Sequence, residues 1–208
     1  MRFGVICISR HAAAGGESIG HTVAQRLGFR YVDEQIIETA AEQAQVTPAT
    51  VAAAERPQPL LKRLLEKMTG ARTAPDSRDL PPGRVDDRAH DHDLRVMIRA
   101  AIHEVAAAGQ VVIVAHAASM ALANTAGVLR VLVTASPDTR IRRVADFDRI
   151  IEAEAERRVI ASDRARQEYL QRFYKIDAEL PTHYDLVINT DTLSVAQAAE
   201  LILTATKT

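Results

Sequence analysis

Residues 4–20 read GVICISRHAAAGGESIG, and this stretch decides the fold. Its first part, together with Phe3, is an apolar run typical of a short buried strand. Small residues follow at 12–16, and apolar side chains then recur at helical spacing between Ser18 and Leu27. A strand that enters a helix through a loop of small residues is typical of a phosphate-binding loop. Small side chains let backbone N–H groups reach phosphate oxygens, and the helix N-terminus attracts anions.

The composition is that of an ordinary globular protein. Of the 208 residues, 47% are hydrophobic and 25% are charged, and this length suits one substantial core with or without a small lid. The formal net charge of -1 supplies no general attraction for nucleic acid or for an anionic membrane. We therefore expect neither as a partner, and any site for a polyanion has to be local.

The single cysteine and the N-terminal sequence indicate a reducing compartment. Cys7 lies in the apolar run VICI, where a thiol is typical of a small core residue, and it can form no internal disulfide. The N-terminus lacks a basic region followed by a long apolar stretch, and no run reaches the ~18 apolar residues of a membrane span. We expect a cytoplasmic protein. Nothing in the sequence indicates an oligomeric state.

Strand and helix patterns alternate along the rest of the chain. The further strand candidates are residues 29–33, 110–115, 128–135 and 184–190. Helical patterns lie between them, and this alternation predicts an α/β protein with a five-stranded parallel sheet and helices on both faces. Ligands of such sheets bind at the carboxyl ends of the strands. The candidate positions are the loops after Ile8, Tyr31, Val114 and Val133.

Capping residues mark several predicted helix ends. Gly28 is a predicted C-cap, and a helix is expected from about Asp93 to Ala108, closed by Gly109. Ser136 with Pro137, and later Ser194, have the residue types that begin helices.

The region between the second strand and Asp93 has a different character. Helical patterns are present at 34–45 and 57–68, but residues 69–93 are rich in Pro, Gly, Arg and Asp. This composition predicts a mobile loop. We expect it to belong to a single domain formed by residues 1–208.

The first loop only partly matches the phosphate-loop consensus G-x-x-x-x-G-K-[ST]. With Gly16 as the second glycine, His11 takes the place of the first glycine, Glu17 that of the lysine and Ser18 that of the hydroxyl residue. An alternative interpretation is a tight strand-to-helix connection in which Glu17 complements the helix N-terminus.

Motifs in the first 33 residues resemble those of the cytidylate kinase-like family, which belongs to the P-loop nucleoside monophosphate kinases. The family opens with I-S-R, then G-S-G-G and I-G, followed by a helix and a strand that ends in Y-D. Here the matching residues are Ile8-Ser9-Arg10, Gly15-Gly16, Ile19-Gly20, and Tyr31 with Asp33.

The resemblance continues downstream and covers nearly the whole chain apart from 69–93. VVIVAHAA (111–118) lies where the family has a strand ending in G-R-x-A, and SDRARQEYLQRFY (162–174) resembles its lid segment. THYDLVINTDTLSVAQAAELI (182–202) resembles its closing strand and helix. The resemblance implies a P-loop NTPase-type three-layer sandwich with a helical lid at about 150–175.

The implied activity is transfer of the ATP γ-phosphoryl group to a nucleoside monophosphate such as CMP, with Mg²⁺. The partner is then a nucleotide or another small phosphorylated substrate. By resemblance the catalytic residues are Asp33, Arg157, Asp163 and Arg166. The nucleotide-binding residues are Ser9, Arg10, Gly15, Gly16, Glu17, Ser18, His116 and Arg158, with Ser18 also expected at the metal.

Three departures from the family pattern keep other functions open. Glu17 has the wrong charge for its position, Ala13 replaces a loop glycine, and Ala115-His116 replaces G-R. One alternative is a catalytically inactive relative that acts as a regulatory or partner-binding module, and another is a kinase with a different small acceptor. The arginines can also be a solvated helix face paired with glutamates, and Asp33 can be a helix N-cap.

Overall fold

The computed structural model describes residues 2–33, 87–115 and 118–207, with side chains at all of these except 87–95. They fall into two compact units, Met1–Glu34 with Ala108–Thr208, and Gln35–Ala107. The predicted helices at 34–45 and 57–68 lie outside the described residues, as do 69–86 of the predicted mobile loop and His116. Of the described helices, none is long and apolar enough to cross a membrane.

The first unit is built on the predicted five-stranded parallel sheet. Its strands are β1 (Val5–Arg10), β2 (Arg30–Asp33), β3 (Val111–Val114), β4 (Val128–Thr134) and β5 (Leu186–Asn189). They are ordered β2-β3-β1-β4-β5, and every neighbouring pair is parallel. The chain leaves central β1 toward the β2 edge and leaves β4 toward the β5 edge. This divergence opens a crevice beyond the carboxyl end of β1, where such sheets bind ligands.

Five helices accompany the sheet in this unit. They are α1 (Gly16–Leu27), α3 (Ala118–Ala121), α4 (Pro137–Asp148), α5 (Glu152–Tyr174) and α6 (Val195–Ala205), and a short 3-10 helix spans Pro181–His183. Helix α1 packs beside α6, and α4 packs beside α5.

Helix α2 (Asp87–Ala107) belongs to the second unit and begins earlier than the sequence predicts. The expected start is about Asp93, because residues 87–93 contain little that is apolar and resemble the polar loop before them. Acidic residues are favourable in the first turn of a helix, so a polar, Asp-rich segment is compatible with this earlier start. The predicted end is close, and Gly109 follows with a φ of 64°.

The core lies between the sheet and the α1–α6 pair. Alternate residues of the three central strands face these helices, and the helices contribute Ile19, Val23 and Ile202 to the same cluster. Strands β1 and β3 are apolar on both faces, as expected when both sides of a parallel sheet are covered. Burial raises the pKa of the Cys7 thiol in β1 to about 12, so this thiol is an inert core group.

Three of the predicted caps are present among the described residues, whereas the predicted helix start at Thr47 and Pro48 lies outside them. Ser136 accepts a hydrogen bond from the Thr139 N–H at 3.3 Å, with Pro137 at the first helical position. Ser194 and Gln197 form a reciprocal capping box at the start of α6. Gly28 ends α1 in the left-handed conformation, with a φ of 67°.

Gly20 allows α1 to approach the sheet closely. A Cβ atom at this position would lie 2.5 Å from Cγ2 of Val114 in β3. Alanine would gain about 1 kcal/mol of helix propensity. Because the Cβ would come within 2.5 Å of a buried β-branched side chain, the clash should cost about 2–3 kcal/mol, the upper part of the usual range.

We predict that Gly20→Ala lowers the free energy of unfolding by about 1–2 kcal/mol, measured by urea denaturation. Gly4→Ala is the matched control, because a Cβ there would meet nothing within 4 Å. It should change stability by less than about 0.5 kcal/mol. Equal stability of the two variants would contradict the close approach.

Candidate functional site

The loop that joins β1 to α1 contains two left-handed residues. Ala13 has a φ of 60° and Gly15 a φ of 86°, and α1 begins directly afterwards at Gly16. The Ala14 N–H donates to the His11 carbonyl at 3.1 Å, which closes a tight turn. Among the described residues, no side chain caps the N-terminus of α1. The first N–H groups of this helix therefore remain available to an anion.

The carbonyl groups of the same loop are held by side chains from distant parts of the chain. Arg166 of α5 donates to the Arg10 carbonyl at 3.2 Å, and Arg143 of α4 donates to the Ala13 carbonyl at 3.1 Å. The Thr190 hydroxyl, just after β5, donates to the Ala14 carbonyl at 2.9 Å. These hydrogen bonds hold the loop carbonyls toward the body of the protein.

The charge of Glu17 is compensated within the site. Arg10 and Glu17 form an ion pair, with the Arg10 side chain mostly buried and that of Glu17 half exposed. The Arg10 side chain lies across Gly16, where an added Cβ would come 2.7 Å from the Cβ of Arg10. A neighbouring cation thus compensates the carboxylate of Glu17. That cation now lies beside the N-terminus of α1.

Strand β2 ends close to this ion pair. The Tyr31 ring stacks on His21 of α1, with ring centroids 3.5 Å apart. Burial raises the pKa of Tyr31 to about 12, with further contributions from the negative charges of Asp33 and Glu17. These two carboxylates therefore act on the same tyrosine, and the role of Asp33 at the site stays a prediction.

A buried charge network lies behind the loop. Arg166 and Glu179 form a two-point ion pair, with N–O distances of 2.5 and 2.9 Å, and Tyr184 donates its hydroxyl proton to Glu179. Burial alone would raise the pKa of Glu179, but the hydrogen bonds and charge of Arg166, with the Tyr184 hydrogen bond, bring it below its ordinary value. Glu179 therefore stays ionised and holds Arg166 against the Arg10 carbonyl.

A cavity of about 290 Å³ adjoins this network. His11, the first residue of the loop, lines it together with Arg166 and Glu179. The Nε2 atom of His11 lies 3.9 Å from Glu179, and its Nδ1 atom is buried without a partner among the described residues. Burial and the positive charge of Arg166 lower the pKa of His11, so it is neutral near pH 7.

Helices α4 and α5 form an antiparallel hairpin joined by ion pairs. Arg140, which is 4% exposed, makes two hydrogen bonds to Asp163, at 2.8 and 2.7 Å. Near the tip, Arg158 pairs with Asp148 and Glu154. The exposed pairs of Arg158 fit the alternative in which the arginines form a solvated helix face paired with acidic residues. Asp163 differs, because it pairs with the buried side chain of Arg140.

The structure brings the predicted site residues together in two groups. Those of the first group lie at the ends of β1 and β2, at the start of α1, and on α5 where it contacts the Arg10 carbonyl; they are Ser9, Arg10, Gly15, Gly16, Glu17, Ser18, Asp33 and Arg166. Those of the second group lie on the α4–α5 hairpin and are Arg157, Arg158 and Asp163. Arg157 is exposed, and no side chain in the described parts of the chain pairs with it. The roles of all these residues stay predictions.

Sequence reasoning missed four residues that hold the loop, namely Arg143, Thr190, Glu179 and Tyr184. Thr190 directly follows β5. The rule that ligands bind at the carboxyl ends of parallel strands could therefore have indicated it. Arg143 has no such signal, because Arg142 beside it is equally basic.

The Arg166–Glu179 pair predicts a pH-dependent loss of stability in Glu179→Gln. The substitution leaves a buried arginine without its counter-charge, which costs about 3 kcal/mol at pH 7. The pKa of Glu179 lies below its ordinary value of 4.5. The difference in free energy of unfolding between the variant and the unmodified protein should therefore be largest above pH 4.5. It should shrink as the pH falls through the lowered pKa.

Urea unfolding between pH 7 and pH 3 measures this difference. Glu168→Gln is the matched control, because its pair with Arg164 is exposed on both sides, and we expect no measurable loss. A difference that stays constant over this pH range would contradict the role given to Glu179.

Comparisons with known proteins agree with the sequence motifs. Residues 5–192 match the model of the cytidylate kinase-like family. The chain is 31% identical to a cytidylate kinase of Staphylothermus marinus over 114 residues, 55% of this chain and 64% of that protein. It is 37% identical to a cytidylate kinase of Sulfolobus acidocaldarius over 75 residues, 36% of this chain and 41% of that protein. The chain thus spans less than two thirds of the length of these curated relatives.

Solved structures show the same fold at low identity. An uncharacterized protein from Eubacterium ventriosum is similar with a TM-score of 0.67 and 15% identity, covering 98% of both chains. A shikimate kinase from Bacteroides thetaiotaomicron has a TM-score of 0.53 and 16% identity, also covering 98% of both chains. With the five-stranded parallel sheet, this likeness confirms the P-loop NTPase-type three-layer sandwich. Because the family model matches most of its residues, the chain belongs to the cytidylate kinase-like family.

Proposed function

We propose that the protein binds ATP with Mg²⁺ at the loop of residues 11–16 and transfers the γ-phosphoryl group to a nucleoside monophosphate such as CMP. One observation carries this proposal. The carbonyl groups of Arg10, Ala13 and Ala14 are held by side chains behind the loop, while the N-terminus of α1 is left without a side-chain cap among the described residues. This arrangement suits a phosphate group.

The residues around the loop fit the demands of phosphoryl transfer, which are positioning and positive charge. Arg10 would supply a guanidinium beside the phosphates, in place of the consensus lysine. Ser18 is exposed in the first turn of α1, and its hydroxyl would hold Mg²⁺, which neutralises phosphate charge when bound. Asp33, at the end of β2, would orient the attacking oxygen of the acceptor.

The tip of the α4–α5 hairpin would act as the lid, within the segment 150–175. Arg157 is exposed there without a partner among the described side chains, and the ion pairs of Arg158 are themselves exposed. Exposed ion pairs contribute little stability, so Arg158 can exchange its carboxylates for phosphate oxygens at low cost. Arg166 would hold the loop through its hydrogen bond to the Arg10 carbonyl. Asp163 would fix the base of the lid through its hydrogen bonds with Arg140.

A second candidate function is nucleotide binding without turnover, as a regulatory or partner-binding module. The Arg10–Glu17 pair favours it, because the positive charge of Arg10 is already balanced by a carboxylate before a nucleotide arrives. The two candidates share the loop and differ in whether a phosphoryl group is transferred.

Calorimetric titration with ATP and Mg²⁺, followed by an ADP-release assay over a panel of nucleoside monophosphates, separates these functions. The proposal expects ATP binding and ADP release that depends on one or more of the monophosphates. Binding without ADP release would favour the second candidate. Absence of ATP binding would overturn both.

The charge of Glu17 gives a second test. Glu17→Gln should tighten ATP binding by about three- to tenfold, because it removes a negative charge beside the phosphates and releases Arg10. Glu168→Gln removes the same charge from the exposed Arg164–Glu168 pair on α5 and should leave the affinity unchanged. An unchanged affinity in Glu17→Gln would mean that its carboxylate faces away from the phosphates.

A further inference from the structure

We propose that Arg143 and Thr190 are positioning residues that impose the left-handed conformation of Ala13 and thereby aim the N–H groups of the phosphate-binding loop. This inference rests on the proposed function only in naming the ligand, because the contacts themselves lie within the protein. Neither residue belongs to the loop or to its consensus. Arg143 also lies outside the motifs that carry the family resemblance, whereas Thr190 lies within the closing segment 182–202.

The loop conformation needs to be held because Ala13 is unfavourable in it. A residue with a Cβ loses about 1–2 kcal/mol in the left-handed region, and Ala13 has a φ of 60°. Such residues persist where the surrounding structure determines them from several sides. Gly15, which is also left-handed, carries no such cost.

The Arg143 guanidinium supplies the hold on Ala13. One of its terminal nitrogens lies 3.1 Å from the Ala13 carbonyl oxygen and 3.0 Å from the Thr190 hydroxyl oxygen. The other donates to the Thr190 carbonyl at 2.6 Å. The planar guanidinium is therefore fixed by Thr190 and presents a donor to the loop. Charge-assisted bonds at a partly buried site are strong compared with neutral ones.

Thr190 completes the hold on the next peptide group. Its side chain is buried, and its hydroxyl accepts from Arg143 while donating to the Ala14 carbonyl at 2.9 Å. Its own N–H donates to the Thr134 carbonyl at 2.8 Å, which extends the β4–β5 pairing by one residue. The orientation of two successive loop peptides is thereby tied to the sheet edge and to α4. The base of the hairpin and the phosphate-binding loop are thus mechanically joined.

Variants that remove single donors test this inference. Arg143→Met keeps the alkyl chain and loses the guanidinium, and Thr190→Val keeps the shape and loses the hydroxyl. Arg142→Met is the matched control, because exposed Arg142 donates, among the described residues, only to Thr139 of its own helix, at 3.3 Å. Thr190→Ser retains the hydroxyl and should behave as the unmodified protein. Ala13→Gly removes the cost of the left-handed conformation.

The first readout is amide hydrogen exchange of residues 13–17 in the protein without nucleotide. Arg143→Met and Thr190→Val should exchange these amides at least about tenfold faster, while amides of β1 and β4 keep their rates. The second readout is the ATP dissociation constant, which should rise about 10- to 100-fold in Arg143→Met. Adding Ala13→Gly to Arg143→Met should recover most of the loss. Arg142→Met should change neither readout.

Three results would overturn the inference. One is the same behaviour in Arg143→Met and Arg142→Met. Another is acceleration of exchange throughout β1 and β4, which indicates a general structural role. The third is no recovery by Ala13→Gly. If the unmodified protein binds no ATP, the proposed function fails, and the exchange rates with their Ala13→Gly recovery still decide the positioning role.

Discussion

The arrangement of the site depends on the carbonyl groups between β1 and α1, which are held by side chains from later segments of the chain. Buried backbone carbonyls require hydrogen-bond partners, and in this loop they receive them from Arg166, Arg143 and Thr190. These side chains come from α5, α4 and the end of β5, so the segments after the central strand converge on one turn. The loop carbonyls are thus held by side chains, whereas the N-terminus of α1 has no side-chain cap among the described residues.

The arginines of the α4–α5 hairpin divide by burial into two kinds. Arg140 and Arg166 are nearly fully buried, and each is matched by a carboxylate in two-point contact. A buried charge that lost its partner would be strongly destabilising, so these two are structural anchors. Arg158 and Arg164 are exposed, and their pairs contribute little to stability. Only arginines of the second kind can turn toward a ligand without disturbing the core.

The sequence predicts the parts of this fold that depend on local chemistry. The five strands and the caps at Ser136, Ser194 and Gly28 all follow from periodicity and residue type. The loop contacts do not follow, because they join residues more than a hundred positions apart. Periodicity cannot separate Arg143, which reaches Ala13, from Arg142, which stays on its own helix. The early start of α2 was missed because a polar helix start resembles a loop.

Ala13 departs from the family pattern in residue type and has a left-handed conformation. A glycine at this position would reach a positive φ freely, whereas alanine reaches a φ of 60° only when its peptide is held. The hydrogen bonds from Arg143 and Thr190 replace the freedom that glycine would supply. The second difference between this loop and the consensus is its charge. Glu17 stands where a lysine is expected and is paired with Arg10, so this pair is where the site differs most in charge from the consensus loop.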